Sequence, residues 1–106
     1  MSHGDLCFGC GQANLFGLQL ERETGGVAPR FFVKQDHQGP DGTAHPGIVV
    51  AALLEAMSLA GGDPRAVRVE LVGRAPVGEF VEVEATASSA TARCGEEVVA
   101  QCQARA

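Results

Sequence analysis

An α+β fold, one long buried helix laid on an antiparallel sheet, is what this sequence predicts, and three observations predict it. Ile48 to Ala60 is a thirteen-residue stretch in which only Glu55 and Ser58 are polar. Downstream of it, three segments alternate apolar and polar residues with the period of two that a half-buried strand requires. Glycines and prolines separate these segments at turn-like intervals. A helix and a one-sided sheet bury their apolar surfaces by layering on each other.

The helix is the clearest element. Pro46 suits a first helical position, since the N–H it lacks would have had no partner there. Gly61-Gly62 and Pro64 stop the run. Because it is apolar almost all round, the helix is expected to be buried on most sides. Upstream, Leu18-Gln19-Leu20-Glu21 alternates like a strand. Gly25-Gly26 reads as a turn, Ala28 to Lys34 as a second strand, and Gln35 to Pro46 as a loop carrying two of the three histidines.

Beyond the helix, Val67, Val69 and Leu71 face one way, with Arg68 and Glu70 opposite. Val81, Val83 and Ala85 alternate with Glu82, Glu84 and Thr86, and Val98, Ala100, Cys102 and Ala104 alternate with Gln101, Gln103 and Arg105. Pro76-Val77-Gly78 and Cys94-Gly95-Glu96 are the turns. The stretch Ser88 to Cys94 is short, so a strand there is expected to be clipped or absent. Each strand has one apolar and one wet face, as in an antiparallel sheet covered on one side. So small a sheet leaves edges and apolar surface uncovered, and oligomerisation is the usual remedy.

Composition narrows the function. At 106 residues, 45% apolar and 20% charged, the chain is expected to form one domain spanning 1–106 with a modest core. A net charge of -5 with no Trp, no Tyr and five Phe argues against nucleic acid, which asks for a basic stripe or aromatic platforms. The apolar run Gly47 to Leu54 is too short to cross a bilayer, and the N-terminal residues show neither a basic start nor an apolar core of a secretory signal. A cytoplasmic location is therefore expected. In that reducing compartment Cys7, Cys10, Cys94 and Cys102 are expected as thiols or metal ligands, not disulfides.

Several motifs resemble hotdog-fold thioesterases of the phenylacetate-degradation type. They are Cys7-Phe8-Gly9-Cys10-Gly11, Asn14-x-x-Gly17-Leu18, His37-Gln38-Gly39, His45-Pro46-Gly47-Ile48 leading to Leu53-Leu54-Glu55-Ala56-Met57, and Arg74-x-Pro76-Val77-Gly78-Glu79. The resemblance implies a helix wrapped by an antiparallel sheet that continues across a homodimer, or a homotetramer built from it. It implies hydrolysis of acyl-CoA thioesters, with no cofactor. In that family a loop of the form His-Gly-Gly supplies a backbone N–H to the thioester oxygen, and a carboxylate eight residues later does the chemistry.

This chain reads His45-Pro46-Gly47. Aligning His45 with the family His places Pro46, without an N–H, at the donor position and Leu54 at the acid. Sliding by one restores both requirements, with Gly47 as donor and Glu55 as catalytic carboxylate, and we prefer that alignment. Gly47 near a helix start is a natural oxyanion donor, and Glu55 would act as nucleophile or general base. A salt bridge from Glu55 to Arg68 or Arg74 is the plain structural alternative.

His45, His37 and Ser58 are weaker substrate-binding candidates, and Arg65, Arg68 and Arg74 are candidates for the phosphates of coenzyme A. Cys7-x-x-Cys10 reaches at most three metal ligands by adding His3 or His37, so no metal is expected, and the family resemblance implies a structural turn there. A non-catalytic module binding acyl-CoA or a similar apolar ligand is the alternative function.

Overall fold

The computed structural model describes residues 3–22, 25–26 and 28–105, so Met1 and Ser2 of the N-terminal stretch lie outside the described residues. A strand β1 (Arg30–Phe32) leads through a 3₁₀ turn (Gln35–His37) to the helix α1 (Pro46–Leu59). Four strands follow, β2 (Val67–Leu71), β3 (Phe80–Ala85), β4 (Ser89–Cys94) and β5 (Glu97–Ala104). The five strands form one sheet in the order β1-β3-β4-β5-β2, every neighbouring pair antiparallel. The helix packs across β3, β4 and β5.

The alternation read from the sequence is the alternation observed in β3, where Val81 and Val83 are fully buried and Glu82 and Glu84 exposed. Helix α1 starts at Pro46 and ends beside Gly61, whose φ of 97° only glycine adopts readily. Its fully buried positions are Val49, Ala52, Leu53, Ala56 and Met57, a single stripe at three- and four-residue spacing. The expected burial on most sides is met in part: no residue from Ile48 to Leu59 is exposed, but Val50 and Leu54 are only half-buried. The core is this stripe together with Leu18, Leu20, Phe31, Val33 and the inward residues of β3, β4 and β5.

Two further expectations are overturned. Strand β4 is neither clipped nor absent: its six residues pair with β3 on one side and β5 on the other. Its inward residues are Ala90 and Ala92, too small to stand out as an apolar stripe. A register shift between Ala92 and Arg93 lets both Val99 and Ala100 of β5 face the core, so the alternation predicted from Val98 holds only from Ala100 onward.

The segment Leu18 to Glu21 is not a regular strand. Gln19 has a φ of 51°, and Leu18 and Leu20 donate their N–H groups to Phe8 and Gly9 carbonyls at 2.8 Å each. The alternation correctly buried the two leucines, but against the cysteine loop.

Candidate functional site

The start of α1 is built by His45 and Pro46. His45 caps the helix: its Nδ1 accepts the Gly47 N–H at 2.9 Å, and its carbonyl accepts the Ile48 N–H at 2.9 Å. Pro46 contributes no N–H, so Gly47 holds the first amide of the helix proper. A Cβ on Gly47 would lie 3.1 Å from His45 Nδ1, so the bare α-carbon lets the imidazole sit close across the helix end. His45 and Gly47 are both exposed. Beside them Ala44, Pro46, Val49, Leu71, Val72 and Arg74 line an open hollow of about 280 Å³. The sequence-predicted donor is therefore at a solvent-facing helix end, with its N–H already bonded within the chain.

Glu55, two turns further along, points elsewhere. Its carboxylate lies under the N-terminal segment and is 12% exposed. The Oε2 atom is 2.7 Å from His3 Nδ1, and both carboxylate oxygens are 3.7 Å from Cys7 Sγ. Cys7 Sγ and Cys10 Sγ each lie 3.6 Å from the same His3 nitrogen, whose ring partner Nε2 is 3.0 Å from Ser58 Oγ.

Gly9 completes the enclosure. A Cβ at that position would collide with Cγ, Cδ and Oε1 of Glu55, so only glycine lets the loop close over the carboxylate. His3, Cys7, Cys10 and Glu55 thus bring four ligand-type atoms within 4.8 Å of one another. The sequence reading reached only three ligands because it had no means of adding Glu55, 52 residues from His3.

Electrostatics follow this packing. Hydrogen bonding to Cys7 and Glu55 raises His3 above the usual imidazole value. Burial pushes the Cys7 thiol up, but the amides of Cys10 and Gly9 and the His3 ring outweigh it and leave the thiol more acidic than usual. Cys10 is pushed up to about 12 by burial and by the neighbouring Glu55 and Cys7. Burial also raises Cys94 and Cys102, the latter packed with its Sγ 3.3 Å from Met57 Sδ. All four cysteines are free thiols.

The other predicted residues are dispersed. His37 is not a solvated loop residue: it is 1% exposed, accepts the Lys34 N–H on Nδ1 at 3.1 Å, and sets Nε2 3.2 Å from the Gly17 carbonyl. Both ring nitrogens are thus engaged within the chain and neither is left for a ligand. Ser58 joins the His3 cluster, not a pocket. Glu55 pairs with His3 instead of the Arg68 or Arg74 weighed from the sequence. Arg65 pairs with Asp63 at 3.5 Å in full solvent, Arg68 lies on the exposed face of β2, and Arg74 alone lines the hollow beside α1. The structure thus brings Glu55 and Ser58 together and leaves Gly47 and His45 at a separate place, with His37 in the core.

No family model and no curated protein matches the chain. Solved structures do. A mutant of the phenylacetic acid degradation protein PaaI from Thermus thermophilus is 22% identical with a TM-score of 0.59, over 72% of this chain and 78% of that one. Zebra fish thioesterase superfamily member 2 is 15% identical with a TM-score of 0.58, over 86% and 82%. A putative thioesterase, phenylacetic acid degradation-related, from Ralstonia eutropha JMP134 is 11% identical with a TM-score of 0.54, over 80% of each chain. One helix on a five-stranded antiparallel sheet, shared with these structures across most of each chain, gives this protein the hotdog fold of PaaI-type and related thioesterases.

Proposed function

We propose that this chain is a hotdog-fold acyl-CoA thioesterase acting in the cytoplasm as a homodimer. The observation that carries the reading is the fold, shared with three thioesterase structures over 72% to 86% of the chain. In this reading the thioester carbonyl docks at the start of α1, its oxygen toward the Gly47 N–H, with Arg74 near the coenzyme A phosphates. Glu55 acts as the base that draws a proton from water. The water oxygen attacks the carbonyl carbon, the C–S bond breaks, and the departing thiolate takes a proton.

Gly47 and Glu55 are eight residues apart, about 12 Å along the helix, so each would serve a site completed by the other subunit. His45 must turn away to free the Gly47 N–H, and Glu55 must leave His3.

That engagement of both groups favours a second reading, in which the chain binds acyl-CoA without hydrolysing it. A thiol-release assay over a panel of acyl-CoAs, beside Glu55→Ala, decides between them. Hydrolysis that disappears in Glu55→Ala and in Gly47→Pro, and returns when the two variants exchange subunits, supports the shared-site enzyme. Saturable binding with no thiol release supports the binding module. Hydrolysis indifferent to Glu55→Ala would sink the catalytic role of that residue.

A further inference from the structure

We infer that His3, Cys7, Cys10 and Glu55 form a structural site for one tetrahedral divalent metal ion, with zinc the ion it fits best. The inference does not rest on the hydrolase reading. It supports the binding reading instead, because a metal-bound Glu55 is no longer a base.

The distances are those of a coordination shell. Zinc holds thiolate sulfur at about 2.3 Å and imidazole nitrogen or carboxylate oxygen at about 2.0 to 2.2 Å, so the edges of its tetrahedron run from about 3.3 to about 3.8 Å. Cys7 Sγ and Cys10 Sγ each lie 3.6 Å from His3 Nδ1, Cys7 Sγ lies 3.7 Å from the Glu55 carboxylate oxygens, and all four ligand atoms fall within 4.8 Å of one another. As hydrogen bonds these contacts are long and weak; as edges of one tetrahedron they need no adjustment. Among these contacts His3 and Glu55, at 2.7 Å, must part by roughly half an ångström, as expected when an ion replaces the proton between them.

The surroundings also fit. His3 presents Nδ1 to the centre while Ser58 Oγ, 3.0 Å from Nε2, fixes the ring, the arrangement that orients a ligand histidine. The Cys7-x-x-Cys10 loop turns back on itself with Gly11 N–H donating to the Cys7 carbonyl at 2.8 Å. Gly9 leaves no room for any side chain between the loop and Glu55.

Two soft thiolates, one imidazole and one carboxylate select a zinc-type ion over magnesium or calcium, which prefer oxygen throughout. Four protein ligands close the shell, which marks a structural site that leaves no position for substrate. Its effect is to staple residues 3–10 to the middle of α1.

The test is elemental analysis of the full chain, purified and dialysed exhaustively against metal-free buffer. About one zinc per chain is expected. Cys7→Ser, Cys10→Ser and Glu55→Gln should each lose it, while Cys94→Ser, outside the cluster, should keep it. Should those variants fold poorly, cobalt titrated into the stripped wild-type chain should give the intense visible bands of a tetrahedral ion and a thiolate charge-transfer band, saturating at one equivalent. Wild-type protein that retains no zinc and yields only octahedral cobalt spectra overturns the site. So does zinc that survives Cys7→Ser and Glu55→Gln alike. Metal content is read without substrate, so its failure and the failure of the thioesterase reading are separate results.

Discussion

Gly9→Ala isolates the closure of the cysteine loop over Glu55. The added methyl meets Glu55 Cγ, Cδ and Oε1 before anything else, and Gly9 itself has no positive φ that would oppose an alanine. The carboxylate is the movable partner, so relief comes from swinging it out and giving up the 2.7 Å link to His3. A part-buried charge-assisted hydrogen bond of this kind contributes about 1.5 to 3 kcal/mol. Against this, replacing glycine by alanine lowers the entropy of the unfolded chain and returns about 0.4 to 1 kcal/mol. The expected net loss in metal-free protein is therefore about 0.5 to 2.6 kcal/mol. With an unfolding entropy of about 0.22 kcal/mol/K for a chain of this length, Tm should fall by about 2 to 12 °C.

Chemical denaturation of a double-mutant cycle is the assay. In a Glu55→Ala background the three colliding atoms are gone, and Gly9→Ala should become neutral or slightly stabilising. Gly73→Ala is the control, since its methyl would meet Val98 O at an ordinary 3.4 Å. A penalty of the same size in both backgrounds would refute the argument, because the strain would then lie in the backbone and not against Glu55.

Other measurements follow from the same geometry. In metal-free protein at pH 8, timed alkylation read by mass spectrometry should label Cys7 first, since Cys7 alone among the four thiols is more acidic than usual and Cys10, Cys94 and Cys102 are shifted upward. Because His3 is raised in the folded chain, its stabilising effect is complete below its unfolded value of about 6.5 and fades as pH rises through the folded value. In metal-free protein His3→Ala should therefore lose more stability at pH 5.5 than at pH 9, as denaturant midpoints would show, and an equal loss at both would contradict it. Truncating His45 removes the α1 cap, so His45→Ala should lower stability by about 1 kcal/mol, while His37→Ala, which strips a buried ring with two polar contacts, should lower it by more. The absence of any concentration dependence in sedimentation, with a single species of monomer mass, would dispose of the dimer.

Helix α1 and strands β2, β3 and β5 were legible because valines and leucines at fixed spacing mark them. Strand β4 was not, since its inward positions carry alanine and its identity as a strand comes from partners on both sides. The cysteine loop was legible as a motif but not as half of a cluster. Nothing local links Cys7 to Glu55, 48 residues away, and the link depends on where the whole segment lies on the helix. Gly9 held a clue, because a glycine inside Cys7-x-x-Cys10 announces a close approach without saying to what. The two histidines of one loop looked equivalent in sequence, yet one caps the helix in solvent and the other is sealed in the core. His37 is turned inward by the 3₁₀ turn, and that turn has no strong sequence signal.

Strand β2 lies at the border of the sheet, bonded to β5 on one side only. Its exposed residues are Arg68, Glu70 and Leu71, the first two flanking Val69. Consider a second copy added antiparallel at this border about a two-fold axis through Val69. Position n then faces position 138 minus n, so Arg68 meets Glu70 of the partner subunit and Glu70 meets Arg68 of the partner subunit. Two opposite-charge pairs across neighbouring strands contribute about 0.2 to 1 kcal/mol each. A slip by one residue along the same border places Arg68 opposite Val69 or Leu71, and forfeits both pairs. In such a pairing the three letters Arg-Val-Glu would encode a register as well as a strand, and a chain with the two charges exchanged would be repelled by the unexchanged chain while accepting a second exchanged one.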